Sequence, residues 1–194
     1  MIHVGVTGHR FITEIDKVTA GVDAALDMIV AAFEKQPLAV LSSLAEGADR
    51  LVAKRFISKY VVRLIVVLPL PESDYISDFD ISGSKEEFYS FLANADKIIP
   101  PPRVDTREEA YTVAGRYILD HCDVLLAIWD GKEAQGKGGT GELVTEARRR
   151  KLPVAWIHAG NRQPGNIEPT SLGLEQGKVT YERFPYDIFF GLIK

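Results

Sequence analysis

Three stretches of the chain gather residue types that handle phosphate and sugar. The first is Gly5-Val6-Thr7-Gly8-His9-Arg10, and the second is Ser42-Ser43-Leu44-Ala45-Glu46-Gly47-Ala48-Asp49-Arg50. The third is Asp130-Gly131, followed by Gly136-Lys137-Gly138-Gly139-Thr140-Gly141-Glu142. Each joins a short apolar run to a helix-like pattern through a glycine-containing turn. Gly5 and Gly8 permit close backbone approach. Arg10, next to His9, carries a planar fork of donors that matches phosphate oxygens. Ser42, Ser43 and Gly47 stand at a helix start, where free N–H groups and hydroxyls make an anion site. Glu46 and Asp49 oppose an anion there. Helix capping suits one of them, and a ribose hydroxyl suits the other. Gly138, Gly139, Thr140 and Gly141 open a helix as a phosphate cradle would. No GK[ST] closes that cluster and it is not GxGxxG, so neither a P-loop nor a dinucleotide fingerprint is present. Together with Asp130, the set suits a nucleotide: phosphate on amides and Arg10, sugar hydroxyls on a carboxylate. Each stretch also has a plain structural reading, as a tight turn, a helix cap or a glycine hairpin.

These residues need a scaffold that brings distant stretches together. Short β-rich runs occur at Ile2–Thr7, Leu38–Ser43, Val61–Leu68, Lys97–Ile99, Val124–Trp129 and Val154–His158. Several are apolar at consecutive positions, which suits strands covered on both faces. Between them run helical patterns. Ile15, Val18, Val22, Leu26, Ile29 and Phe33 predict a helix over residues ~14–35. Ala48, Leu51, Val52 and Phe56 predict a second, and Phe88, Phe91, Leu92 and Ala95 a third. Ala110, Val113, Ala114, Tyr117 and Ile118 predict a fourth, and Leu143, Val144 and Ala147 a fifth. The alternation predicts an α/β fold: Rossmann-like, doubly wound, three-layer α/β/α, with a mainly parallel sheet of about six or seven strands. No linker divides it, so residues 1–194 are expected to form a single domain. In such sheets ligands bind beyond the carboxyl ends of the strands, where all three stretches fall. Two connections are long and rich in Gly, Pro and Asp, Pro69–Ser84 and Ala159–Lys178, and read as flaps or surface insertions.

Composition narrows the classes further. The chain has 194 residues, 46% hydrophobic and 26% charged, which is globular. Lys plus Arg is 23 and Asp plus Glu is 27, a net charge of -4, which argues against coating nucleic acid or membrane by bulk charge. A single cysteine, Cys122, excludes an intrachain disulfide and a cysteine-based zinc site and fits a cytoplasmic setting. No signal peptide or membrane-length apolar run is read. No cofactor and no metal are expected. Pairing into a homodimer is expected from the size class alone.

The segments GVTGHR (5–10), SSLAEGADRLVA (42–53), LPLPESDYISDF (68–79) and GKGGTGE (136–142) resemble, in this order, the SLOG superfamily. That group includes the LOG-like proteins and the DNA-processing protein A family. The resemblance spans most of residues 2–158 and implies a Rossmann-like fold with a site for nucleotides or nucleotide-derived ligands. LSSLAEGAD is similar to the SGLARGID stretch of the DNA-processing branch, with Ser43 where that pattern has Gly and Glu46 where it has Arg. The missing Arg argues against single-stranded DNA binding. GGTGE resembles the PGGxGTxxE motif of LOG phosphoribohydrolases, with Lys137 at the Pro. Aligning Gly138 and Gly139 puts Gly141 on the third Gly, Glu142 on the Thr and Thr145 on the Glu. The catalytic Glu therefore does not carry over. The stretch around Gly139-Thr140 is also similar to nucleoside deoxyribosyltransferases, whose nucleophilic Glu follows a like Gly-Thr; Glu142 is one residue early.

Three functions follow as expectations. The first is capture of a nucleotide-derived ligand as a sensor or binding domain. The second is cleavage of the N-glycosidic bond of a nucleoside monophosphate, with Glu142 stabilising positive charge on the sugar. Glu142 has an equal reading as a first-turn helix carboxylate. The third is single-stranded nucleic-acid binding by Arg148-Arg149-Arg150-Lys151, a run that reads first as the basic complement of a helix C-terminus. His3 and His158 read as sheet histidines, and His121-Cys122 lies at the strand end opposite the cleft. Asp74, Asp78 and Asp80 read as a solvated loop rather than a cation site. Trp129 and Trp156 read as packing, with Tyr75 or Phe79 available to stack a base.

Overall fold

The structure, a computed structural model, describes residues 1–33, 36–133, 138–161 and 170–184. Gly136 and Lys137, the end of the first helical pattern and part of Ala159–Lys178 lie outside the described residues. Seven strands form one sheet: β1 (Ile2–Gly8), β2 (Leu38–Ser42), β3 (Val62–Val67), β4 (Lys97–Ile99), β5 (Val124–Trp129), β6 (Val154–His158) and β7 (Val179–Glu182). Among the described residues, six α-helices accompany them: α1 (Ile15–Ala32), α2 (Ala48–Lys59), α3 (Glu72–Tyr75), α4 (Ser84–Ala93), α5 (Arg107–His121) and α6 (Thr140–Arg149).

The strand order is β4-β3-β2-β1-β5-β6-β7. All neighbours are parallel except β6 and β7. The six strands expected from the sequence are present, and a short antiparallel β7 extends the sheet. The chain winds outward from β1 to β4, then returns to lay β5 against the other side of β1. That reversal is the switch point where a crevice opens beyond the strand ends. The register there pairs Thr7 with Ala127 and Gly8 with Ile128.

The two-residue period of the strands sorts the core into layers. Val124, Leu126 and Ile128 of β5 join Val4, Val6 and the apolar faces of α1 and α2 on one side. Leu125, Ala127 and Trp129 face α6 residues Leu143, Val144 and Ala147 on the other. Ala39 and Leu41 of β2 meet Ala114 and Ile118 of α5 on that second side. The rule holds because β2 and β5 are buried along their whole length.

The stretch read as a long loop, Pro69–Ser84, is instead partly helical and packed into the core. It holds α3 and a 3-10 turn, Ile76–Asp78. Tyr75 and Phe79 stand four residues apart, so one helical turn puts both rings on the same side. They contact each other and Phe88 with centroids 5.0, 5.6 and 5.3 Å apart, all edge to face. Arg50 lies 4.4 Å from the Phe79 ring centre, buried beneath the strap.

Candidate functional site

A cleft of about 530 Å³ opens at the switch point. Its floor is the end of β1, from Thr7 through Gly8 and His9 to Arg10, beside Trp129 and Asp130 at the end of β5. Ser43, Ala45 and Asp49 form one flank; Gly138, Gly139, Thr140 and Gly141 form another. Glu108 and Tyr111 of α5 and Tyr75 of the strap complete the wall, with Lys132 and Glu133 near the mouth. Stretches far apart in sequence therefore meet at one opening.

Close packing holds the floor in place. A Cβ on Gly8 would lie 2.4 Å from Ala48 Cβ and 2.8 Å from the Ile128 carbonyl, so only glycine lets β1 pass there. The His9 N–H donates to the Ile128 carbonyl at 3.0 Å, and its Nε2 accepts from the Asp130 N–H at 3.0 Å. That bond places the ring proton on Nδ1. Burial pushes the His9 pKa down, although Asp130 opposes this, so the ring is neutral. Arg10 donates from Nη1 to the Asp78 carbonyl at 3.1 Å and from Nη2 to the Tyr111 hydroxyl at 3.4 Å. Tyr111 donates onward to the Asp78 carboxylate, which Arg107 also meets at 2.6 Å. Burial, together with that bond to Asp78, pushes Tyr111 up to about 12, so its hydroxyl keeps its proton.

The second stretch closes on itself. Asp49 Oδ2 accepts from the Ser42 hydroxyl at 2.8 Å and from the Ser43 N–H at 3.1 Å, and the carboxylate also engages the Ala45 N–H. The Leu44 N–H donates to Ser42 Oγ at 2.9 Å, and the Ala48 N–H to the His9 carbonyl at 3.0 Å. Burial lifts the Asp49 pKa to about 6 against those bonds. Glu46 neither caps α2 nor faces the cleft. Its carboxylate accepts from the Asp80 and Ile81 N–H groups at 3.0 and 2.9 Å and pins the strap. The anion site expected at the start of α2 is therefore filled by the protein's own carboxylate and carbonyl.

In the third stretch, the described residues from Gly138 onward leave the helix start open. α6 begins on Gly139 with no side-chain cap. Among the described residues nothing is bonded to the Thr140 and Gly141 N–H groups, which a helix's first turn leaves free. Gly138 has φ +74, a conformation that favours glycine, and its open Cα face packs on Tyr111 and Thr112. The glycine turn thus abuts the residue that holds Arg10.

Of the residues singled out from the sequence, Gly8, His9, Arg10, Ser43, Asp49, Asp130, Gly138, Gly139, Thr140 and Gly141 line the cleft. Ser42, Glu46, Gly47 and Glu142 do not. A Cβ on Gly47 would sit 2.1 Å from the Arg10 carbonyl, which explains that glycine by packing. Glu142 turns away from the cleft: its carboxylate accepts from the Gly138 N–H at 2.6 Å and lines a second cavity with Arg116. Tyr111, Glu108 and Lys132 were not singled out. Lys132 follows a strand end and so carried a usable signal; Tyr111 reads as one more position on an amphipathic helix. The three arginines of the basic run are paired within the fold: Arg148 with Glu182, Arg149 with Glu146, and Arg150 with Glu146 and Asp120. No helix among the described residues is long and apolar enough to cross a membrane.

No protein-family profile and no curated protein matches the sequence. Among solved structures, DNA processing protein A from Streptococcus pneumoniae superposes with TM-score 0.52 and 17% identity, over 86% of this chain and 52% of that one. TM1055 superposes with TM-score 0.47 and 15% identity, over 79% of this chain and 72% of that one. The chain spans about half the length of DNA processing protein A. The resemblance read from the motifs is thus met at the level of fold, and the chain has the Rossmann-like α/β fold seen in that protein.

Proposed function

We propose that the chain binds a nucleotide or nucleotide-derived small molecule in this cleft, as a binding or sensing domain. The observation that carries the reading is the uncapped start of α6 opening into the same cleft as Arg10. Free first-turn N–H groups and the helix dipole favour a phosphate there. Arg10 adds a fixed positive charge to the cleft, held in place by bonds from Nη1 to the Asp78 carbonyl and from Nη2 to the Tyr111 hydroxyl. A cleft of this size suits a small organic ligand.

The binding reading is preferred over N-glycosidic cleavage because Glu142, the carboxylate that reaction was assigned, lies outside the cleft lining and is held by Gly138. Nucleic-acid binding, which the name of DNA processing protein A brings to mind, loses support from the pairing of Arg148, Arg149 and Arg150 with carboxylates.

Calorimetric titration with AMP, ADP, ADP-ribose and cyclic AMP tests the proposal. Saturable heat with one ligand per chain is expected for at least one, reduced by competing inorganic phosphate. Absence of heat from all four, at protein concentrations that detect submillimolar affinity, overturns it.

A further inference from the structure

His9 lines the cleft floor with two kinds of partner on one ring nitrogen and none on the other. At Nε2 the Asp130 N–H donates at 3.0 Å, and the Asp130 carboxylate oxygen Oδ1 stands 3.4 Å away. One residue thus offers this nitrogen both a donor and an acceptor. Both side chains are only 8% exposed, so water screens the pair little. Nδ1 has no hydrogen-bond partner among the described residues. It is not sealed in either, since the buried polar atoms without partners are Arg50 Nη2 and the Tyr75 hydroxyl. Nδ1 therefore opens into the cleft that the ring lines.

The two partners match two charge states. In the neutral ring, with its proton on Nδ1, Nε2 accepts from the Asp130 N–H. In the imidazolium both nitrogens donate, and the Nε2–H turns to Asp130 Oδ1. Burial favours the neutral state in the free protein; Asp130 opposes it and Lys132 reinforces it. An anion at Nδ1 reverses the balance, because the ring then stands between two negative groups. The charge-assisted bonds gained are each roughly twice as strong as the neutral one given up. The other ionisable groups of the cleft are Arg10 beside the ring, Asp49 of α2, Tyr75 of the strap, Glu108 and Tyr111 of α5, and Glu133 beyond Lys132. Asp49, lifted to about 6 by burial, titrates in the same range, so a test has to separate the two.

We propose that the cleft takes up a proton together with its anion: a ligand phosphate accepts from the His9 Nδ1–H, and the ring gains a solvent proton at Nε2 that it donates to Asp130 Oδ1. Affinity for the anion then rises as the pH falls, because the bound state holds more protons than the free one. The inference rests on the reading of the cleft as a phosphate-binding site and adds its control by pH.

The test follows the His9 ring signals by NMR from about pH 5 to about pH 8.5, in wild type with and without saturating AMP. The ring's titration midpoint is expected to rise by about one pH unit or more on binding. Calorimetry over the same range compares wild type with His9→Gln. The ratio of their affinities, from which the ionisation of AMP and of Asp49 cancels, is expected to rise about tenfold from the high to the low end. If AMP binds but the midpoint stays or falls, this inference falls and the nucleotide reading stands; a flat affinity ratio overturns it in the same way. The ring signals need no variant, so they decide alone if His9→Gln fails to fold. If AMP gives neither heat nor shift, the nucleotide reading falls and takes this one with it.

Discussion

The turn after β2 and the turn before α6 are built from the same ingredients: a strand, glycine, hydroxyl groups and a helix start. In the first, Asp49 reaches back from α2 and takes up the Ser42 hydroxyl and the Ser43 N–H. The His9 carbonyl takes up the Ala48 N–H. In the second, Glu142 reaches back only to the Gly138 N–H, and the amides of Thr140 and Gly141 have no partner among the described residues. The difference is where the carboxylate sits. A carboxylate that folds over the helix start fills the anion site; one that leans away leaves the site open. The first turn is therefore closed by the protein's own groups, and under the proposed function the second is where an anionic ligand would add contacts.

Variants that strike the closed turn should cost folding, and variants that strike the open turn should cost binding. Gly47→Ala has the largest expected effect. It puts a Cβ 2.1 Å from a backbone carbonyl at φ +81, and a loss of more than about 3 kcal/mol is expected in urea unfolding. Asp49→Ala is next, at about 2–3 kcal/mol near pH 5, because the Ser42 hydroxyl and the Ser43 N–H lose a buried acceptor. Its pH dependence has a definite sign. The folded carboxyl titrates at about 6, above its ordinary 3.8, so the folded chain binds more protons between those values. The stability Asp49 contributes is fully present below about pH 4 and declines as pH rises through 6. The gap between wild type and Asp49→Ala should narrow over that window in Tm measurements, and a widening gap would contradict the burial assigned to Asp49.

On the open side, Arg10→Gln is expected to weaken nucleotide binding about tenfold or more in calorimetry. It should cost about 1 kcal/mol of stability through the lost bonds to Asp78 and Tyr111. Thr140→Ala should be the mildest change. It should leave stability within about 0.5 kcal/mol, since the change removes only a hydroxyl and a methyl at a half-buried first-turn position, and lower affinity a few-fold. A Thr140→Ala variant that unfolds readily but binds normally would reverse the comparison.

The layers of the fold were legible because β2 and β5 read as continuous apolar runs and the helices as three-four repeats. β7 was harder: Val179–Glu182 is short, only partly buried, and pairs on one side alone. The convergence of three turns was legible too, because a doubly wound sheet leaves few places for strand ends to go. Which turn stays open was not. The bonds from Asp49 to Ser42 and from Glu142 to Gly138 depend on rotamers and on a Leu44 backbone at φ +55, which no spacing rule announces. Nor was the role of Pro69–Ser84. Its prolines, its aspartates and Gly83 suggested a loop, while Tyr75 and Phe79, four apart, carried the helical signal that buries the strap.

Amide chemical-shift mapping during titration with AMP tests the central claim most directly. The claim predicts saturable shifts that are largest at Thr140, Gly141, His9 and Arg10, with Leu44 and Ala48 nearly unmoved. Shifts centred on residues 42–48 with an unmoved α6 start, or no saturable shift at any amide, would contradict it.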